Sequence, residues 1–124
     1  MPHIKAADAA RFDLPGVTFT GLASPSRGAT ETAVWQLAIA PGTPGTTHRL
    51  TREEIIVALS GSASATIDSQ THKLQPGDAI IIPAGVEFSL GNPHDTPFHA
   101  IAVLPVGGQA QIGTDPAFTP PWAA

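Results

Sequence analysis

Thirteen prolines and twelve glycines, scattered along 124 residues, are what most restricts the fold of this chain. Proline fixes φ and removes a backbone donor, and glycine costs conformational entropy inside any regular element, so together they break a chain into short pieces. The pieces between them are rich in β-branched and aromatic residues. VTFTGLA (17–23), TAVWQLAIA (32–40), EIIVALS (54–60), ASATID (63–68), THKL (71–74), AIIIP (79–83), EFSLG (87–91) and FHAIAVLPV (98–106) each read as a strand. Their rhythm is that of an all-β sandwich or barrel. Only KAADAARF, residues 5–12, predicts a helical turn or two.

The connections have suitable chemistry. In QPGD (75–78) proline and glycine occupy the two central positions of a type II turn, where proline presets the first φ and glycine supplies the positive second one. Asp68 and Ser69 close a hairpin between the strands that flank them. No linker divides the chain and no repeat of solenoid length is present. A single domain of this size buries roughly two thirds of the surface its unfolded form exposes, enough to close around a pocket.

Charge narrows the partners. Six basic against ten acidic residues leave a net charge of -4 with no basic cluster, which argues against nucleic acid and against an anionic membrane surface. Cysteine is absent, so disulfide and thiolate chemistry are excluded. The N-terminal stretch lacks the apolar run of a secretory signal, and no segment has the roughly 20 apolar residues of a membrane span, so a cytoplasmic location is expected.

Two segments carry the chemistry: PGTPGTTHRLTREEIIVALSG (41–61) and GDAIIIPAGVEFSLGN (77–92). Residues two apart on a strand share a face, so His48 points with Leu50, Glu54 with Ile56 and Ala58, and Phe88 with Val86 and Leu90. If a barrel brings these faces together, one imidazole and one carboxylate stand in an apolar cavity. A carboxylate there must be paired, hydrogen-bonded or protonated. His48 is its nearest candidate partner: pairing would favour the charged forms of both groups and burial the neutral ones, and the residues alone leave that competition open.

The same two segments resemble the signature motifs of the cupin superfamily, small double-sheet jelly-roll barrels. The first family motif sets a glycine before an H-x-H pair, then a glutamate, six residues and a second glycine; Gly42, His48, Leu50, Glu54 and Gly61 stand at those positions. Gly77, Pro83, Gly85, Phe88 and Asn92 stand at those of the second motif, in which a histidine would replace Phe88. The resemblance implies an all-β jelly-roll barrel of two antiparallel sheets, one domain over 1–124. Its barrel core would span about 17–106, with the N-terminal segment 1–16 and the C-terminal tail 107–124 packed outside. Metal-binding relatives hold a divalent ion with three histidines and the glutamate, and this chain keeps only His48 and Glu54 of those four.

The expected site therefore has His48 and Glu54 as proton-transfer groups and Trp35, Leu50, Ile56, Ile82, Phe88 and His99 as lining. No cofactor is expected. The alternative, a divalent metal in a rebuilt shell, needs a third ligand such as His99 facing inward. His94, in the NPHDTP turn, is read as solvent-facing or packed in the core, and His3 and His72 as exposed. Arg49, Arg52 and Glu53 read as surface charges. Three functions remain open: a metal-free acid-base enzyme of isomerase, lyase or cyclase type on a small organic substrate, which the resemblance permits; a small-ligand binding module without chemistry; and a metal-dependent oxygenase or isomerase. The resemblance also implies a homodimer. The tail, anchored by Phe118 and Trp122, is expected on the outer face or at a subunit contact.

Overall fold

The computed structural model describes all residues from Met1 to Ala124. Eleven strands follow in chain order: β1 (Ala10–Leu14), β2 (Val17–Ala23), β3 (Thr32–Ile39), β4 (Arg49–Leu50), β5 (Glu54–Ser60), β6 (Ala63–Ile67), β7 (Gln70–Leu74), β8 (Ala79–Ile82), β9 (Phe88–Gly91), β10 (Phe98–Pro105) and β11 (Ala110–Gln111). Helix is confined to single 3-10 turns such as Ala6–Asp8 and Pro121–Ala123.

A six-stranded antiparallel sheet runs β1-β2-β3-β10-β5-β8. A second layer runs β7-β6-β9 and continues through residues 43–50 to β11. The continuation is a pair of bridges, Thr43 to Asn92 and His48 to Phe88. The two sheets face each other across a core that includes Trp35, Leu37, Ile39, Ile56, Leu50, Phe88, Phe98 and Leu104. This is a jelly-roll barrel, as the resemblance implies. Strand parity sets the layers. In β3 and β10 the buried residues alternate strictly, Ala33, Trp35, Leu37 and Ile39 against Phe98, Ala100, Ala102 and Leu104.

The turns behave as their residues require. Gly77 has φ 90° and Asp78 donates its backbone N–H to the carbonyl of Gln75 at 2.9 Å, closing the QPGD turn. Asp68 and Ser69 both take positive φ, 48° and 68°, as the centre of a two-residue hairpin between β6 and β7.

Both chain ends depart from expectation. Residues 5–12 form one 3-10 turn and then enter β1, because Phe12 gains a cross-strand partner in Phe19 and the backbone gains an edge ladder with β2. An isolated short helix has no comparable partner. The end of the tail does not lie on the outer face. Trp122 stacks flat on Phe19, with ring centroids 3.6 Å apart and planes 1° apart, and meets Phe12 edge-on at 6.4 Å. Phe19 is opposite the buried Leu37, so this contact lies on the inner face of the large sheet. The two-residue strands β4 and β11 are too short to show a period.

Candidate functional site

Glu54 opens β5 with its side chain inward, in register with Ile82 of β8. It is 6% exposed and makes neither a hydrogen bond nor an ion pair with any protein group. Burial alone pushes its carboxyl up to about 8, so the acid keeps its proton at neutral pH. In the competition between burial and pairing, desolvation wins at this residue.

His48 lies on the opposing layer. Its backbone N–H donates to the Phe88 carbonyl at 2.9 Å and its carbonyl accepts from the Phe88 N–H at 2.8 Å, so the two residues sit directly opposite each other. Side chains of such a pair share a face, and the imidazole meets the Phe88 ring at 4.3 Å between centroids, tilted by 47°. Nδ1 lies 2.8 Å from the Thr46 carbonyl. A carbonyl only accepts, so Nδ1 carries the proton and the neutral ring leaves Nε2 with a free lone pair. Burial lowers the His48 pKa, against the opposing pull of the Thr46 bond. The histidine is therefore held as a base and the glutamic acid as an acid, the reverse of an ion pair, and they do not bond to each other.

Both groups border one apolar core. Ile56 and Ile82 flank Glu54, Leu50 and Phe88 flank His48, and Trp35 stands on the same large sheet as Ile56; all five are buried. Three small residues face the same interior, Ala58, Ala100 and Ala102, with Ala58 opposite Ala100 across β5 and β10. Sequence reading passes over them, although their alternation with large residues is visible in FHAIAVLPV. His99 is a correction: it is exposed on the outer face, because Phe98 and Ala100 on either side take the inward positions. His94 follows the buried Asn92, whose Oδ1 accepts its N–H, and its own Nε2 is buried without a partner. His3 and His72 are exposed. Arg49 is committed to Glu87, Gln111 and the Gly113 carbonyl, while Arg52 and Glu53 are exposed.

Two open clefts lie elsewhere. One of about 340 Å³ opens between β7 and β8 beside Ile67, His72, Leu74 and Ile80. The other, about 320 Å³, has no hydrophobic lining and runs over the smaller sheet past Ser64, Thr66 and Ser89.

The divalent ion that metal-binding relatives of the motif hold does not fit these donors. No three of the chain's histidine, aspartate and glutamate side chains converge. Carbon side chains stand at positions 50 and 88, and Phe88 packs on the one imidazole present. Two donors fall short of the three protein ligands a catalytic centre generally uses.

Fold and site together define a small antiparallel β-barrel with ionisable groups at the edge of an apolar interior. The chain belongs to the cupin domain family, whose pattern it matches over residues 35–104. No curated protein sequence matches it. Among solved structures it is similar to the polyketide cyclase RemF from Streptomyces resistomycificus, with a TM-score of 0.79 at 19% identity over 96% of this chain and 84% of that one. It is also similar to a cupin-superfamily sugar phosphate isomerase from Silicibacter pomeroyi (TM-score 0.73, 18% identity, 92% and 83% covered). KdgF from Halomonas sp. aligns with a TM-score of 0.71 at 17% identity over 82% of this chain and 92% of that one. At such identities the likeness is one of fold.

Proposed function

We propose that the barrel interior binds a small, largely apolar organic molecule and moves a proton on it without a metal, Glu54 as general acid and Nε2 of His48 as general base. The observation that carries this reading is the buried, unpartnered Glu54 carboxyl, whose pKa of about 8 keeps it a proton donor at neutral pH. A buried group kept in a costly state with no structural partner stabilises nothing in the fold, and such groups concentrate at sites of chemistry. Isomerisation, dehydration and cyclisation of a carbonyl compound all need one group to give a proton and another to take one. A cyclase and an isomerase among proteins of the same fold are compatible with this reading, although their substrates are not carried over.

The informative assay is deuterium uptake next to the carbonyl of small aromatic ketones in D2O, followed by proton NMR against pH. The rate rises as His48 loses its proton below its ordinary range and falls as Glu54 loses its own near 8. Glu54→Gln keeps the shape and removes the acid, and it lowers the rate by about a hundredfold or more. An unchanged rate in that variant eliminates the mechanism. What would then stand is the reading as a binding module, which the apolar Leu50 and Phe88 favour.

Self-association is part of the same proposal. The outer face of the large sheet presents Val34, Ile55, Val57, Ile81, Ile101 and Val103 in adjoining registers. Ile81 is 60% exposed. β3, β8 and β10 contain no acidic residue, lysine or arginine, and Glu54, the only one in β5, faces inward, so a second copy of the chain is the occupant that suits this face.

A further inference from the structure

Two bridges hold the segment before β4 on β9, Thr43 opposite Asn92 and His48 opposite Phe88. Between these bridges the chain takes five steps on one side, from 43 to 48, and four on the other, from 88 to 92. Residues 44–47 therefore hold one residue more than the strand they face, which makes this stretch a β-bulge. Its Thr43 end is firmly anchored. Asn92 is fully buried, donates its backbone N–H to the Thr43 carbonyl at 2.8 Å, and donates through Nδ2 to the carbonyls of Ile39 and Thr96 at 3.0 and 2.8 Å. The surplus chain lies with its backbone directly on the backbone of β9. A Cβ on Gly91 would stand 2.7 Å from the Gly45 nitrogen and 3.2 Å from the Thr43 carbonyl oxygen, and a Cβ on Gly45 would stand 2.8 Å from the Leu90 carbonyl carbon. Neither glycine has a positive φ, so close approach alone requires them.

In a regular ladder a carbonyl lies in the plane of the sheet and side chains stand perpendicular to it. Inside the bulge the Thr46 carbonyl accepts no backbone N–H, and its one partner is the ring of His48 two residues on, at Nδ1. We propose that this bulge, held by the contact of Gly45 with Gly91, positions the general base: it turns the Thr46 carbonyl onto Nδ1 of His48 and so reserves Nε2 as the nitrogen that takes a proton from the substrate. Which ring nitrogen of a neutral histidine is bare depends on the bond the other one makes. Thr46 is the one hydrogen-bond partner of this ring, and Phe88, packed beside it, offers no acceptor that would choose between the two nitrogens. Gly45 and Gly91 are positioning residues, acting on the reaction only through His48. Bulges beside functional groups commonly re-aim side chains in this way.

The inference rests on the reading of His48 as a base and names the backbone feature that makes it one. The test uses the full chain grown with ring-labelled nitrogen-15 histidine, with long-range proton–nitrogen spectra at about pH 8, where burial keeps the His48 ring neutral. The signals are assigned with His48→Gln. In the parent, His48 shows a protonated Nδ1 and a bare Nε2. Gly91→Ala drives residues 43–46 off β9, His48 becomes a mixture of tautomers in which Nε2–H predominates, and deuterium uptake falls about tenfold or more. Gly77→Ala, whose Cβ enters open space, keeps the parent pattern. Should Gly91→Ala not fold, deletion of Thr47 decides: it evens the two spacings, restores a regular ladder and gives the same mixture. A His48 that keeps its Nδ1 proton in these variants overturns the proposal, as does a parent ring that already carries its proton on Nε2. If the tautomer moves as expected but the parent exchanges no deuterium, the proton-transfer reading falls and the positioning stands; exchange in the parent with an unmoved tautomer sinks the positioning alone.

Discussion

At the scale of single residues desolvation dominates. Glu54 has an ordinary carboxyl value of 4.5 and a folded value of about 8, so between those two pH values the native state holds a proton that the unfolded chain has released. Stability therefore falls as pH rises through that window and levels off above it, by an amount on the order of several kcal/mol. Glu54→Gln abolishes this slope. In urea unfolding at a series of pH values, the variant is expected to be more stable than the parent at about pH 9 and to lose its advantage near pH 4. Parallel curves for the two proteins would show that the carboxyl is solvated. His48 acts with the opposite sign: its lowered folded pKa costs stability as pH drops below its ordinary 6.5, where the unfolded chain takes up the proton first. The sequence placed both groups on inward faces. It could not rank pairing against burial, because that depends on whether Nδ1 is already committed, and only the fold put the Thr46 carbonyl beside it.

At the scale of elements, register decides what each turn and strand can bear. Gly61, at φ 70°, joins β5 to β6, and a Cβ there would lie 2.1 Å from the Pro97 carbonyl oxygen. Gly77 has a similar positive φ but open space around it. Gly77→Ala is expected to cost about 1 kcal/mol from backbone strain alone. Gly61→Ala adds a backbone collision and should cost about 3 kcal/mol or more, read as the shift in urea midpoint. Equal losses would mean that the loop at Pro97 yields freely.

The bridge between His48 and Phe88 makes a second expectation possible. Leu50 shares a face with His48, and Phe88 sits opposite it, so Leu50→His combined with Phe88→His should supply four donors with Glu54. Cobalt(II) added to that double variant is expected to give an intense visible spectrum at one equivalent, with release of protons as Glu54 ionises. A spectrum no different from that of free cobalt would mean that the motif positions do not converge. These pairings were legible in outline, because the strand runs carried clear alternation. β1 was not, since ARFDL gains its strand character only from Phe19 and Trp122, which lie outside it in the chain.

At the scale of the whole molecule, an apolar outer face on the large sheet contrasts with a hydroxyl-lined face on the small one. Sedimentation equilibrium is expected to give twice the mass of one chain, 12.7 kDa. Ile101→Lys, which sets like charges against each other across a two-fold axis at the centre of that face, should return it to a single chain without loss of fold. A monomer before substitution refutes the pairing.

The sequence by itself determined the β rhythm, the turns at Asp68 and Gly77, and the inward parity of His48 and Glu54, because these follow from local φ restrictions and from the period of two along a strand. Tertiary structure alone decided that His99 faces out, that Glu54 keeps its proton, and that Trp122 returns to the inner face. Each of those depends on what stands opposite a residue across the barrel, and burial and pairing are properties of that encounter rather than of either partner's place in the chain.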